Sequence, residues 1–209
     1  MMLHHVQHTM SRAAHPLNLL VFLLTAFFIN LDPIQAIGNP GGSLPGFADF
    51  SRSVQNGDAN VLRGVYVPDV MALPVMQQPD GYPYYVSSHD GEVTQFSMAS
   101  QYGNIGLLAH NTLSGKSFSG LSVGQQVRLV YGDGRVENFV VANILRFQAS
   151  EPKSVSSSFH NLERNETLSA GEMFSRAYGG EHHLVFQTCI EADGNASWGR
   201  LFILALPQK

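Results

Sequence analysis

The stretch QQVRLVYGDGRVENFVVANILRFQA, residues 125–149, carries the clearest secondary-structure signal in the chain. Apolar and polar residues alternate on both sides of a Gly-Asp-Gly tripeptide at residues 132–134. Alternation with a period of two is typical of a β-strand, and a glycine-rich tripeptide between two such runs is typical of a hairpin turn. The stretch therefore predicts a β-hairpin with strands near residues 126–131 and 136–147.

The residues that follow the hairpin predict a polar loop and one helix. The loop covers SEPKSVSSSFHNLERNE, residues 150–166. Ser169 and Glu172 then have the spacing of a helix capping box, and Gly179 is a typical helix stop. These signals predict a short helix at about residues 170–178.

The other ordered segments read as strands. Short extended segments at residues 61–70 and 81–96 are interrupted by prolines, and an apolar run, NIGLLAHNT, covers residues 104–112. Two further apolar runs, residues 184–190 and 200–206, predict the last strands. This order favours a mainly β fold, a closed or nearly closed β-barrel of about eight strands with one or two short helices.

Composition restricts the classes of protein that the chain can belong to. It has 209 residues, of which 44% are hydrophobic and 13% charged, enough for one sizeable domain. The formal net charge is −4, so no basic surface favours nucleic acid or an anionic membrane surface as a partner.

The first 36 residues predict a signal peptide or an N-terminal membrane anchor. Residues 17–29 are apolar except for one asparagine and one threonine, a length typical of a signal-peptide core and short for a span of roughly 20 residues. Ile-Gln-Ala at residues 34–36 resembles a cleavage site. Either interpretation puts the protein outside the cytoplasm, secreted or anchored to the membrane, with residues 37–62 as a linker or N-terminal arm and 63–209 as the barrel domain.

Cys189 is the single cysteine of the chain and lies in an apolar run. In an exported protein an unpaired cysteine is either an inert core residue, an intermolecular disulfide partner or a reactive thiol. His110 also ends an apolar strand, and Arg200 follows the predicted loop at residues 191–199. If the last two strands are antiparallel neighbours, Arg200 lies nearly opposite Cys189, and its five N–H donors suit a developing oxyanion.

Three segments resemble the sortases, the cysteine transpeptidases of bacterial surfaces. Residues 107–141 are similar to the family's histidine strand and the hairpin that follows it, with Phe118, Leu121 and Gly124 as the matching loop residues. VFQTC, ending at Cys189, resembles the family's T-L-x-T-C signature, and GRLFILA resembles its arginine strand. Val and Phe stand where the signature has Thr and Leu, which is typical of a divergent branch.

This resemblance implies a sortase-like barrel with Cys189 as the nucleophile, His110 as the general acid and base, and Arg200 as the stabilising cation. It also implies the substrates: a C-terminal sorting signal similar to Leu-Pro-x-Thr-Gly on secreted proteins, and an amine acceptor from a cell-wall peptide or a pilin lysine. Substrate-binding residues are predicted at Thr188, Trp198 and Asn111. A membrane-proximal monomer without cofactor or metal is expected.

Two other classes of protein stay open. An L,D-transpeptidase is a different cysteine acyltransferase, but its histidine and cysteine lie close together in sequence, whereas 79 positions separate His110 from Cys189 here. The other is a catalytically silent β-barrel that serves as a binding module. The presence of cysteine, histidine and arginine together argues against silence.

Overall fold

The computed structural model describes residues 43–154 and 156–208, so the predicted signal peptide or anchor at residues 1–36 lies outside the described residues. The described chain forms ten strands, three α-helices and one 3-10 helix. The strands are β1 (Leu62–Val67), β2 (Met71–Gln77), β3 (Val93–Gln95), β4 (Ile105–Leu108), β5 (Gln126–Tyr131), β6 (Val136–Ala149), β7 (Ser158–Asn161), β8 (Thr167–Ser169), β9 (Leu184–Ala192) and β10 (Asn195–Pro207). The helices are α1 (Phe47–Val54), α2 (Ser97–Ser100) and α3 (Ala170–Tyr178), and the 3-10 helix is Ser114–Gly120.

The predicted hairpin is confirmed and forms one wall of a closed barrel. β5 and β6 pair antiparallel, with Val130 opposite Val136 across the turn. Strand order runs β10-β9-β4-β3-β2-β1-β5-β6, and β10 pairs again with β6, which closes eight strands into a ring. β7 and β8 extend the sheet from β6. The predicted fold class, a mainly β barrel of about eight strands with few short helices, is confirmed.

Two hydrophobic clusters lie on opposite faces of the barrel strands. The inner core takes residues from all eight barrel strands, among them Leu107, Phe186 and Ile203. The outer core packs against α3 and contains Leu108, Val185, Phe202, Phe147, Phe159, Phe174 and Tyr178. Since successive side chains of a strand point to opposite faces, membership of these clusters identifies which face each neighbouring residue occupies.

The predicted helix is confirmed as α3. The Ser169 side chain accepts a hydrogen bond from the backbone of Glu172, the Glu172 carboxylate accepts one from the backbone of Ser169, and Gly179 is the C-cap. Phe174 and Tyr178 of this helix contact the ring of Phe96 in the outer core. The helix therefore covers part of the outer face of the strands that carry the candidate residues, and Gln187 and Cys189 of β9 stay half-buried.

Two loop predictions are wrong. Residues 191–199 form no open loop, because β9 and β10 continue to a tight turn at Asp193 and Gly194, both with positive φ, and the ladder shifts register between Asn195 and Gly199. The predicted polar loop at residues 150–166 contains the short strand β7. That strand forms because it pairs with the end of β6, a partner that the local pattern does not reveal.

The N-terminal helix α1 packs on the barrel wall. Phe50 and Val54 form a third cluster with Tyr66 of β1 and Val130 of β5. A Cβ atom on Gly64 of β1 would lie 2.9 Å from Phe50, so the glycine permits this close approach. None of the helices in the described part of the chain combines the length and the apolar character that a membrane crossing requires.

Candidate active site

Cys189 and Arg200 are direct cross-strand neighbours. β9 and β10 pair antiparallel, and the register sets Arg200 opposite Cys189. Residues opposite each other in an antiparallel pair project from the same face of the sheet. Phe202, two residues after Arg200, belongs to the outer core, so both side chains lie on the outer face of the barrel.

His110 reaches the same face from the neighbouring strand. β4 runs parallel to β9, with Leu108 opposite Gln187, and the Ala109 N–H extends the ladder to the Gln187 carbonyl at 3.3 Å. His110 lies two residues beyond Leu108, as Cys189 lies two residues beyond Gln187. Adjacent strands β4, β9 and β10 therefore bring the backbones of His110, Cys189 and Arg200 to one end of the sheet, and continued alternation after Leu108 assigns His110 to the outer face.

Arg200 is a buried cation with donor capacity left over. Its side chain is only 1% exposed, and Nη1 donates to the carbonyls of Ser197 and Gly199 at 3.0 and 2.8 Å. The guanidinium carbon lies 5.9 Å from the ring centre of Phe159. Among the described residues, no carboxylate forms an ion pair with Arg200, and the buried Nη2 atom has no hydrogen-bond partner.

Burial favours the neutral form of both titratable groups of the site. It raises the pKa of the Cys189 thiol, and the positive charge of Arg200 offsets part of that rise. It lowers the pKa of the His110 imidazole, an effect that a hydrogen bond with the Val86 backbone partly offsets. Both shifts have the same cause, because a low-dielectric site disfavours the charged form of either group.

The three residues predicted to bind substrate have other contacts in the fold. Thr188 is buried on the opposite face from Cys189 and donates its hydroxyl to the Ala109 carbonyl at 2.8 Å, a position that does not suit substrate contact. Asn111 donates to the Ala196 carbonyl at 3.0 Å and ties the turn after His110 to β10. Trp198 is half-buried within β10 and does not lie in a loop.

Gly115 is a close contact that the sequence pattern alone does not single out. A Cβ atom there would lie 2.5 Å from Thr188 Oγ1 and 2.6 Å from the His110 carbonyl oxygen. The 3-10 helix thus packs directly on the backbone that carries His110. The glycine and the Thr188 bond together fix where β4 ends relative to β9.

The adjacent histidines His182 and His183 have partners away from Cys189. His183 is buried with both ring nitrogens against the carbonyls of Ala177 and Glu181, while His182 contacts the Gly103 carbonyl and the Glu137 carboxylate. Within residues 43–154 and 156–208, no group of three or more histidine, cysteine or acidic side chains is arranged to hold a metal ion.

Comparison with known proteins gives similarity in structure only. No protein-family model matches the chain. No curated protein matches it in sequence. The structure is similar to solved sortases of classes A, C and D over most of the chain.

Three of these structures illustrate the extent of the similarity. Sortase A of Listeria monocytogenes is 14% identical, with 73% of this chain and 89% of that chain covered and a TM-score of 0.45. Sortase C-1 of Actinomyces oris is 12% identical, with 80% of this chain and 83% of that chain covered and a TM-score of 0.49. A Clostridium perfringens sortase D5 transpeptidase is 13% identical, with 79% of this chain and 90% of that chain covered and a TM-score of 0.43. Identities this low concern the fold and assign neither substrate nor activity.

Substitution of Gly115 by alanine should destabilise the site. The added methyl group would overlap backbone and side-chain oxygens, and overpacking of this kind costs about 1–3 kcal/mol. Urea denaturation of Gly115→Ala measures the loss in the free energy of unfolding. Gly120→Ala, in the same 3-10 helix, is the matched control, because the nearest atom to its Cβ would be a Val70 methyl at 3.7 Å. Equal stabilities of the two variants would contradict the close packing.

The pH dependence of Cys189 alkylation should be shifted upward. The thiolate is the nucleophile, so a raised pKa leaves less of it at pH 7 and slows the reaction with iodoacetamide relative to a free thiol. The rate should continue to rise above the pH at which an ordinary thiol has levelled off. Arg200→Met should slow alkylation further, because the charge that lowers the pKa is gone. The protein unfolded in urea is the control, and a folded profile that matches it would refute the shift.

Proposed function

We propose that the protein is a sortase-type cysteine transpeptidase. The observation that carries the proposal is the convergence of a thiol, an imidazole and a buried guanidinium on one face of three adjacent strands. Support comes also from the resemblance of the segments around Cys189, His110 and Arg200 to the sequence motifs of that family. Acyl transfer needs a nucleophile, a group that moves protons and a donor for the oxyanion, and these three side chains are of the right types.

The first half of the reaction forms a thioester. His110 takes the thiol proton of Cys189 while the sulfur attacks a backbone carbonyl of the sorting signal, and the carbonyl oxygen becomes an oxyanion. The free Nη2 donors of Arg200 stabilise this charge in a site with little water. The intermediate collapses as the C–N bond breaks, and the imidazolium of His110 gives its proton to the departing amine.

The second half transfers the acyl group. An amine from a cell-wall peptide or a pilin lysine attacks the thioester carbonyl, and His110 accepts the proton that this nitrogen loses. When the C–S bond breaks, the proton returns to Cys189, so the enzyme ends in its neutral resting state. Every step uses side chains of this chain alone, and no cofactor enters the scheme.

The compartment follows from the same proposal. Residues 1–36 would direct the protein out of the cytoplasm and either be cleaved or anchor it beside the membrane. Residues 37–62, including α1, would link that segment to the barrel at residues 63–209. The enzyme would then act as a monomer on secreted proteins that pass the cell surface.

Two observations favour a second candidate function. Arg200 is sealed at 1% exposure, and burial raises the pKa of the half-buried Cys189 thiol, so the resting site offers neither an exposed guanidinium nor a ready thiolate. A catalytically silent barrel that binds a peptide has no need of an exposed thiolate. This binding module is therefore the alternative that the first experiment must separate from the enzyme.

Intact mass spectrometry of the protein with a pool of Leu-Pro-x-Thr-Gly-like peptides tests the proposal. We expect a peptide acyl adduct on Cys189 that added glycine peptides release. Cys189→Ala, with its fold checked by circular dichroism, should form none. No adduct together with a thiol inert to iodoacetamide in the folded protein would reject the enzyme and favour the binding module.

Arg200→Lys should reduce the rate of adduct formation by about 100-fold, the usual size of the loss of one oxyanion donor. A lysine has no planar fork. Its three N–H donors share one nitrogen, so it cannot keep both carbonyl bonds and also place a donor where the separate Nη2 atom of Arg200 lies. Arg146→Lys is the control, because Arg146 lies on the adjacent strand β6 in an exposed ion pair with Glu163. Near-normal turnover in Arg200→Lys would remove Arg200 from the mechanism.

A further inference from the structure

Gln187 is a polar side chain in the same row as the candidate catalytic residues. It lies two residues before Cys189 on β9 and is half-buried on the outer face. Its cross-strand neighbours are Leu108 on β4 and Phe202 on β10, which both belong to the apolar outer core. A half-buried primary amide therefore lies next to the buried outer core, two residues from the proposed nucleophile.

A hydrogen bond from helix α3 fixes the orientation of this amide. Tyr178 of α3 is fully buried, and its hydroxyl donates to Gln187 Oε1 at 2.7 Å. A buried hydroxyl needs a partner, so this bond uses the carbonyl end of the amide and directs the NH2 end away from α3. Nε2 has no hydrogen-bond partner among the described residues, and it is not among their buried unpartnered atoms.

The spacing connects this NH2 group to a peptide at Cys189. An extended peptide and a β-strand both advance about 3.3 Å per residue and alternate their side chains. A peptide that has its attacked carbonyl at Cys189 and runs along β9 therefore sets a side chain two residues from that carbonyl over Gln187. An apolar side chain there would bury the two amide N–H groups without a partner.

We propose that Gln187 is a specificity-determining residue. Its NH2 group donates to the side chain that lies two residues from the attacked carbonyl. The preferred signal then carries an acceptor such as asparagine or glutamine at that position and disfavours an aliphatic residue. Tyr178 is a positioning residue, because its hydrogen bond fixes which end of the Gln187 amide faces the substrate and Tyr178 itself does not contact the substrate. This inference rests on the proposed transpeptidase function and names a feature of its substrate.

The test compares peptides that differ only by asparagine or leucine, which have nearly the same volume. The pair is made at the two positions that lie two residues from the residue with the attacked carbonyl, which are the third residue before the scissile bond and the second residue after it. Acyl-adduct rates of the full chain are measured by intact mass spectrometry. Wild type should prefer asparagine at one of these positions by about tenfold, the usual value of one neutral hydrogen bond in a largely desolvated site.

Three variants identify the source of the preference. Gln187→Leu should bring the asparagine-to-leucine ratio close to one or below. Gln187→Glu keeps an acceptor for Tyr178 but has no donor for the peptide, so it should lose the asparagine preference as well. Tyr178→Phe frees the amide to rotate and should reduce the ratio several-fold, with thermal unfolding as the check that each variant folds.

The outcomes separate the two proposals. If wild type forms acyl adducts but shows the same ratio as Gln187→Leu, the specificity role is wrong while the transpeptidase stands. If Tyr178→Phe keeps the full ratio, Tyr178 has no positioning role. If wild type forms no adduct with any peptide of the panel, the transpeptidase proposal fails, and the inference about Gln187 fails with it.

Discussion

The double pairing of β10 is the constraint on which both the barrel and the candidate site depend. This strand bonds to β9 on one side and to β6 on the other, and the same ladder sets Arg200 between Cys189 and Phe147. Because side chains alternate along a strand, a slip of one residue would turn Arg200 into the inner core and move Leu201 to the outer face. The inner core takes Leu201 and Ile203 from this strand, so their burial specifies the register. The same strand register therefore closes the barrel and orients the Arg200 guanidinium.

That register places the positive charge of Arg200 where solvent cannot reach it. Removal of an ion from water carries a penalty of several kcal/mol, which two backbone carbonyls and the face of Phe159 offset only in part. The remaining Nη2 donors would be satisfied by an anion formed on the Cys189 side of the pair. A tetrahedral oxyanion is such an anion, and it exists only during reaction. In the proposed reaction a buried, underpaired guanidinium would thus stabilise the transition state more than the resting protein, which is the condition for electrostatic catalysis.

The parts of the fold with a local signal were predictable, and the contacts that join them were not. The hairpin β5–β6 and the helix α3 follow from alternation and from the Ser169–Glu172 capping box, both readable within a dozen residues. The short strand β7 has no such pattern, because its hydrogen bonds come from the end of β6. The site divides in the same way. Cross-strand opposition of Cys189 and Arg200 follows from a strand-turn-strand pattern, whereas the Tyr178–Gln187 bond and the packing of Gly115 depend on tertiary contacts between segments far apart in the chain.

Desolvation links the fold to the chemistry of the single thiol. The thiolate is the form of cysteine that reacts with oxidants as well as with carbonyls, and in the proposed extracytoplasmic location the protein would meet an oxidising environment. By raising the pKa of Cys189 and lowering that of His110, burial favours the neutral form of both groups, and a smaller thiolate fraction slows oxidation of the sulfur. Arg200 opposes this effect only in part, so the proton moves when an additional partner shares the developing charge. In the proposed reaction that partner is the substrate carbonyl, so the same low dielectric that keeps the resting thiol inert strengthens the guanidinium–oxyanion interaction once the peptide is bound.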